Sequence, residues 1–193
     1  MSYNIGMYKI GILVAAVLFV VLAIYLAVVS SHNTSHDNIG NEHSAHVVVI
    51  TSERAFIEHM IPHHEEAVVS AQVVLQKGTS FRPLLELAED IVSGQTIEID
   101  KMKGWYQTWY EVPYEDTGLY TPMMRPLQEL SGVEFDRGFL EDMILHHEAA
   151  VETAKAVLKL PISTETEGLA NGIIVAQEAE ITLMQELLRL LPK

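Results

Sequence analysis

Two stretches of the chain share a motif that combines methionine, paired histidines and a carboxylate. The first reads FIEHMIPHHEEAVVSA from Phe56, and the second reads FLEDMILHHEAAVETA from Phe139. Four positions of the first copy recur 83 positions later: Met60, His63, His64 and Glu65 correspond to Met143, His146, His147 and Glu148. Imidazole nitrogen and thioether sulfur form a ligand set for soft or borderline metals. The motif therefore predicts a protein that handles metal.

A second pattern repeats downstream of each histidine pair. The chain reads IVSGQTIEIDKM around Gln95 and IIVAQEAEITLM around Gln177. Four positions correspond: Gln95, Glu98, Ile99 and Met102 match Gln177, Glu180, Ile181 and Met184. Residues at i, i+3, i+4 and i+7 share one face of a helix. The repeated unit is therefore predicted to be a helical hairpin, present twice.

Apolar spacing and capping residues delimit the helices of the first hairpin. One helix is predicted to start near Ser52, whose hydroxyl can cap it, and to end before Gly78. The next is predicted from about Pro83 to near Tyr110, because proline is favoured in a first helical turn. A short turn between them makes the pair antiparallel.

The second hairpin follows a long connection over residues 111–133, in which Met123 and Met124 offer further sulfur near one end of the bundle. Its first helix is predicted to start with Asp136 as a cap and to stop before Pro161. Its second helix is predicted from a segment at Thr164 that resembles a capping box to about Leu191. The economical fold is all-α: a four-helix bundle of two pseudo-symmetric hairpins.

The helix pairs direct imidazole, thioether and carboxylate groups into the bundle at similar levels. Adjacent histidines project about 100° apart on a helix. One of each pair is therefore expected to be a ligand and the other a supporting or rim residue, unless both straddle a site displaced toward the surface. His59 is the weaker candidate, because Asp142 replaces it in the second copy.

The available ligand types favour copper first and zinc second. Thioether sulfur suits Cu(I), whereas histidine with Glu98 or Glu180 could form a zinc site. Bundle di-iron sites need E-x-x-H motifs, which neither motif helix contains. The predicted metal ligands are Met60, His63, His64, Met143, His146 and His147, with Glu98, Met102, Glu180 and Met184 as secondary candidates. The alternative is a hydrogen-bonded network of the same polar groups, with the methionines filling the core.

Composition excludes several classes of protein. The formal net charge of −14 would repel phosphate backbones, so nucleic acid is not an expected partner. Cysteine is absent, which excludes disulfides and thiolate sites. The sequence contains no nucleophile paired with a base and no phosphate-binding loop, so neither of these features indicates an enzyme.

The N-terminal region predicts a membrane anchor. Residues 10–29 form an uncharged apolar run of 20 residues, about 30 Å long as a helix and enough to cross a bilayer. Lys9 lies on its N-terminal side and no Lys or Arg follows until Arg54, so residues 1–9 are predicted to be cytoplasmic and the domain periplasmic or extracellular. A cleaved secretory signal is the alternative, and it would also export the domain.

A polar segment over residues 30–51 is predicted to be a flexible tether, followed by the metal-binding bundle over residues 52–193. The tether contains four histidines, which are weak candidates for metal capture: His32, His36, His43 and His46.

The motifs resemble those of a bacterial family of domains of unknown function, DUF305. The resemblance is carried by MIPHHEEAV and MILHHEAAV, by QTIEIDKM and QEAEITLM, and by SGVEFDRGFL, and it covers about residues 52–191. It implies a ferritin-like helical bundle and, for some members, an exported copper-binding protein. Copper association is thereby implied for six residues: Met60, His63, His64, Met143, His146 and His147. No catalytic activity is implied.

The leading hypothesis is a membrane-anchored, outward-facing protein that buffers, sequesters or delivers copper, with a metal transporter or cuproprotein as its partner. A metal-dependent oxidoreductase of ferritin-like type and a metal-free structural or interaction bundle are the alternatives. The oligomeric state is not indicated by the sequence.

Overall fold

The computed structural model describes residues 49–192. Four helices account for most of this region, with one short 3₁₀ turn at Leu127–Glu129 in the connection. The helices are α1 (Glu53–Lys77), α2 (Arg82–Tyr110), α3 (Gly132–Val157) and α4 (Thr164–Leu190). Residues 49–192 contain no β-strand. The prediction of an all-α domain with four helices is therefore confirmed.

The ends of the first hairpin follow the predicted signals. The hydroxyl of Ser52 accepts a hydrogen bond from the amide of Ala55 at 3.1 Å and caps α1. Gly78 ends α1 with a φ of 70°, a backbone conformation that favours glycine. Pro83 lies in the first turn of α2, where its missing N–H removes no helical bond.

The start of α3 differs from the prediction. Ser131 is the N-cap residue and α3 begins at Gly132, so the predicted cap at Asp136 is wrong. Asp136 is instead buried inside the helix, where its carboxylate accepts a hydrogen bond from the hydroxyl of Thr79 at 2.8 Å. The carboxylate therefore joins α3 to the turn of the first hairpin instead of capping its own helix.

α4 begins at Thr164, the first residue of the predicted capping segment. Ser163 is the N-cap residue, and its hydroxyl accepts from the amide of Thr166 at 3.1 Å. Glu53 of α1 accepts from both the amide and the hydroxyl of Ser163, at 2.9 and 2.6 Å. These bonds link the beginnings of α1 and α4, and so connect the two hairpins.

Each helix packs against its hairpin partner, α1 on α2 and α3 on α4. The two hairpins meet more closely through α1 and α3 than through α2 and α4. The C-terminal half of α1 shares an apolar cluster with the N-terminal halves of α2 and α3, so these neighbours run antiparallel. The arrangement agrees with the predicted bundle of two pseudo-symmetric hairpins.

Two apolar clusters fill the core, one toward each end of the bundle. One contains Ala67 to Val74 of α1 and Phe135 to Met143 of α3, and the other contains Phe56 to Ile61 of α1 and Ala150 to Val157 of α3. The histidine pairs lie between these clusters along both helices. A polar layer therefore crosses the middle of an otherwise apolar core.

The predicted N-terminal segments lie almost wholly outside the described residues. This applies to residues 1–9, to the predicted anchor at 10–29 and to the tether as far as residue 48. Within residues 49–192, no helix is both long and apolar enough to cross a bilayer.

Candidate metal centre

All four motif histidines are buried in the middle of the bundle. His63, His64, His146 and His147 are each at most 1% exposed. A rim position for one histidine of each pair is therefore excluded, whereas the alternative, a supporting role beside a ligand, stays a prediction. Each helix of a four-helix bundle has two neighbours, so side chains about 100° apart can both face the interior.

The second histidine of each pair binds a glutamate on the partner helix of its own hairpin. His64 Nε2 lies 2.9 Å from a carboxylate oxygen of Glu98, and His147 Nε2 lies 2.6 Å from one of Glu180. Because an ionised carboxylate only accepts hydrogen bonds, Nε2 is the donor nitrogen of each ring. The remaining nitrogen, Nδ1, is buried without a hydrogen-bond partner in both residues.

The first histidines of the two pairs meet between the hairpins. The rings of His63 and His146 have centroids 3.8 Å apart and planes inclined at 43°. His146 Nε2 lies 3.2 Å from a carboxylate oxygen of Glu66 and 3.3 Å from the hydroxyl of Tyr120, whereas its Nδ1 has no partner. Neither ring nitrogen of His63 has a hydrogen-bond partner.

Both central rings are held in the neutral form. Burial lowers the pKa of His146 to about 4, against the opposing influence of its hydrogen bond with Glu66. Burial also lowers the pKa of His63 well below its usual value, and the neighbouring imidazole of His146 lowers it further. Neutral imidazole is the form that coordinates metal.

Glu66 fixes the connection between the hairpins onto this layer. Its carboxylate accepts hydrogen bonds from the hydroxyl of Tyr120 at 2.6 Å and from the amides of Met123 and Met124 at 2.9–3.0 Å. Burial would raise the pKa of Glu66, but these bonds and that with His146 lower it to about 2. The backbone amides of Met123 and Met124 therefore lie beside the histidine layer, and the side chain of Met124 packs against the apolar cluster toward one end of the bundle.

The four repeated methionines lie on both sides of the histidine layer. All are fully buried: Met60 and Met102 in the cluster toward one end, Met143 and Met184 in the cluster toward the other. Within the described part of the chain, no three His, Cys, Asp or Glu side chains are arranged to hold one ion. A metal bound at this layer by three or more side chains would therefore need a thioether or amide ligand beside its imidazoles.

The remaining candidates are placed less centrally. His59 is half-buried on α1, with its ring centroid 5.9 Å from that of His63 and 5.8 Å from that of Tyr120. Its counterpart Asp142 instead accepts hydrogen bonds from the guanidinium of Arg125. The four tether histidines lie outside the described residues, so their role stays a prediction.

The geometry of the histidine–glutamate pairs matches that of metal-ligating histidines. Such a histidine usually donates one ring N–H to a carboxylate, which fixes the ring and leaves the other nitrogen for the metal. His64, His146 and His147 each have Nε2 on a carboxylate and Nδ1 free of any partner. Glu98 and Glu180, secondary ligand candidates from the sequence, are thus bonded to histidine, and their direct ligation of metal stays a prediction.

The family model for the domain of unknown function DUF305 matches residues 53–188, the whole extent of the four helices apart from two residues at the end. The chain belongs to the DUF305 family. No curated protein sequence matches it significantly.

Solved structures of similar proteins include members determined with metal. CopM in its Cu(I)-bound form is 34% identical, with a TM-score of 0.65, and the match covers 71% of this chain and 95% of that one. CopM in its Cu(II)-bound form is 32% identical, with a TM-score of 0.65 and coverage of 72% and 97%. A putative secreted DUF305 protein from Streptomyces coelicolor is 30% identical, with a TM-score of 0.62 and coverage of 72% and 93%.

Proposed function

We propose that this DUF305 protein binds copper, chiefly as Cu(I), in the histidine layer. The observation that carries the proposal is the set of buried imidazole nitrogens without partners: both of His63 and Nδ1 of His64, His146 and His147. An unsatisfied buried polar group costs about 1–3 kcal/mol. A metal ion that accepts these lone pairs would recover this free energy, whereas a metal-free structural bundle would have no use for them.

The ligand types support Cu(I) over zinc. Zinc sites usually draw four ligands from Cys, His, Asp and Glu, and no three such side chains are arranged around one point within residues 49–192. Soft thioether ligands select Cu(I), and four fully buried methionines lie in the clusters on either side of the layer. We assign His63 and His146 as the central ligands, with thioether sulfur completing the site.

In this proposal, the glutamates orient the histidine rings. Glu98 and Glu180 hold the rings of His64 and His147 with Nε2 protonated and Nδ1 available. Loss of such a supporting carboxylate typically weakens metal affinity about 10–100-fold. The similarity to CopM, solved with Cu(I), Cu(II) and Ag, is consistent with the same class of ion.

The cellular role we propose is the buffering or delivery of copper outside the cytoplasm. It rests on the sequence alone: residues 10–29 as a membrane anchor, residues 30–51 as a tether whose histidines collect ions, and a metal transporter or cuproprotein as recipient. An anionic surface, with a formal net charge of −14 for the chain, would raise the local concentration of cations.

Competition titration with a Cu(I) chelator tests the binding site. The full-length chain is used with its four tether histidines changed to alanine, so that only the bundle can bind. We expect His63→Ala and His146→Ala to abolish high-affinity binding, and Met60→Leu, which keeps the side-chain volume but removes sulfur, to weaken it. His59→Ala is the matched control, because this histidine lies outside both pairs. Unchanged affinity in the His63 and His146 variants would refute the proposal.

A further inference from the structure

A pocket opens between α2 and α4 beside the histidine layer. It has a volume of about 50 Å³, which exceeds the roughly 10–15 Å³ that one water molecule needs. Two small residues form part of its wall, Gly94 on α2 and Ala176 on α4. These occupy equivalent positions of the two hairpins, so the opening lies where both copies lack a large side chain.

Two buried amides line this pocket without hydrogen-bond partners. Gln95 and Gln177 are 5% and 2% exposed, and neither the oxygen nor the nitrogen of either side chain is bonded. Such amides are rare in folded proteins and need an explanation. Their oxygens are weak ligands for a soft ion such as Cu(I), so they can contact a passing ion without holding it.

Carboxylates lie both on the side of the pocket that faces the histidines and on the side that faces solvent. Glu98 and Glu180 line it and also bind the buried rings of His64 and His147. Asp90 lies at its exposed side, where partial burial and the nearby carboxylate of Glu180 raise its pKa. The pocket therefore joins a negatively charged surface to the histidines of the core.

The opposite side of the histidine layer is covered. Tyr120, in the connection between the hairpins, has its ring centroid 5.7 Å from that of His63 and its hydroxyl 3.3 Å from His146 Nε2. Glu66 holds this covering segment through the amides of Met123 and Met124. The pocket thus lies on the α2–α4 side, away from the segment that covers His63 and His146.

We propose that the pocket between α2 and α4 is the passage by which a metal cation enters and leaves the histidine layer. Asp90 attracts the ion, and the oxygens of Gln95, Gln177, Glu98 and Glu180 replace part of its hydration on the way. The side chains that line the pocket offer a soft ion only oxygen ligands, so the pocket transmits ions and does not store them. This inference rests on the proposed binding of copper in the core.

Filling the passage tests the inference. Gly94→Leu places a side chain in the pocket, and a Cβ at Gly94 meets nothing within 4 Å, so the helix can accept the change. Gly104→Leu is the matched control, because Gly104 is also an exposed glycine of α2 with open space around its Cβ and lies outside the pocket. Ala176→Leu provides an independent variant on the opposite wall.

The measurement is the release of Cu(I) from the full-length chain to bicinchoninate, at chelator concentrations where the rate no longer depends on the chelator. All proteins carry alanine at the four tether histidines. We expect release about tenfold slower in Gly94→Leu and Ala176→Leu, with unchanged affinity at equilibrium, since only the barrier is raised. Gly104→Leu should release at the original rate.

Release at the original rate from both pocket variants would overturn the inference, as would equal slowing in Gly104→Leu. Uptake adds a test of the charge: Asp90→Asn should slow binding of Cu(I) at low salt, whereas Asp100→Asn, an exposed aspartate of α2 outside the pocket, should not. A protein that binds no Cu(I) at all would instead refute the proposed function, so the two failures are distinguishable.

Discussion

Replacing His63 by leucine should stabilise the metal-free protein. His63 is 1% exposed and neither of its ring nitrogens has a hydrogen-bond partner. A buried polar group without a partner costs about 1–3 kcal/mol, and removing it leaves no other group unpaired here. We therefore expect His63→Leu to raise the free energy of unfolding by about 1–3 kcal/mol.

The adjacent histidine should differ in the size of its effect. His64→Leu removes the unpaired Nδ1 of His64 but also the partner of Glu98, whose carboxylate lies 2.9 Å from His64 Nε2. Each of these changes amounts to about 1–3 kcal/mol, and the two oppose each other. His64→Leu should therefore stabilise the metal-free protein less than His63→Leu does, although both histidines are fully buried.

Urea denaturation and thermal melting of chelator-treated protein measure both effects. For a domain of roughly 150 residues, 1 kcal/mol corresponds to about 2–4 °C in Tm. Saturation with Cu(I) should make the original protein more stable than His63→Leu, because only the original protein keeps the binding site. A ligand at 100 times its Kd stabilises the native state by about 2.7 kcal/mol. A His63→Leu protein that melts below the original protein without metal would refute the reasoning.

Two further predictions concern the groups around the layer. Acidification should destabilise the metal-free protein as the pH falls from about 6.5 toward 4, because the unfolded chain then takes up protons that native His63 and His146 do not. For His146 the loss in the free energy of unfolding is about 3 kcal/mol. Urea denaturation at stepped pH measures this loss, and His146→Leu should make stability depend less on pH. Glu66→Ala should speed proteolysis within the connection at 111–131, because four donors lose their acceptor. Glu65→Ala is its control and should cost less than about 1 kcal/mol, since Glu65 makes a half-exposed ion pair with Lys103. Equal proteolysis rates in these two variants would contradict the role given to Glu66.

The repeated motif was sufficient to predict the four helices and the group of histidines at their centre. Helical spacing fixes which residues share a face, and the two copies place equivalent residues at equivalent levels. A rim position for one histidine of each pair, one of the alternatives from the sequence, is excluded because each helix of the bundle has two neighbours and not a single inward stripe. In the bundle, His63 faces the other hairpin while His64 faces α2 of its own hairpin, so both are buried.

Glu66 and Tyr120 could not be assigned from the repeat. The second copy has Ala149 where the first has Glu66, and Tyr120 lies in a connection without apolar periodicity. The difference between the copies was the available signal, because a carboxylate found in only one of them must have a partner outside the repeat. The wrong cap at Asp136 has a similar origin: its hydroxyl partner, Thr79, is 57 residues away.

The sequence also does not predict which ring nitrogen of each histidine is hydrogen-bonded. Which nitrogen of His64 faces Glu98 depends on how α1 and α2 are rotated against each other, and no spacing rule gives this angle. The passage between α2 and α4 likewise depends on the looser packing of that pair.

Nitrogen-15 NMR of the histidine rings during titration with diamagnetic Cu(I) tests the central claim most directly, because it distinguishes Nδ1 from Nε2. With the tether histidines changed to alanine, we predict that binding shifts the Nδ1 resonance of His146 and a ring nitrogen of His63, while Nε2 of His64 and His147 stay protonated against their glutamates. Binding of Cu(I) that leaves all four motif histidines unshifted would contradict the account.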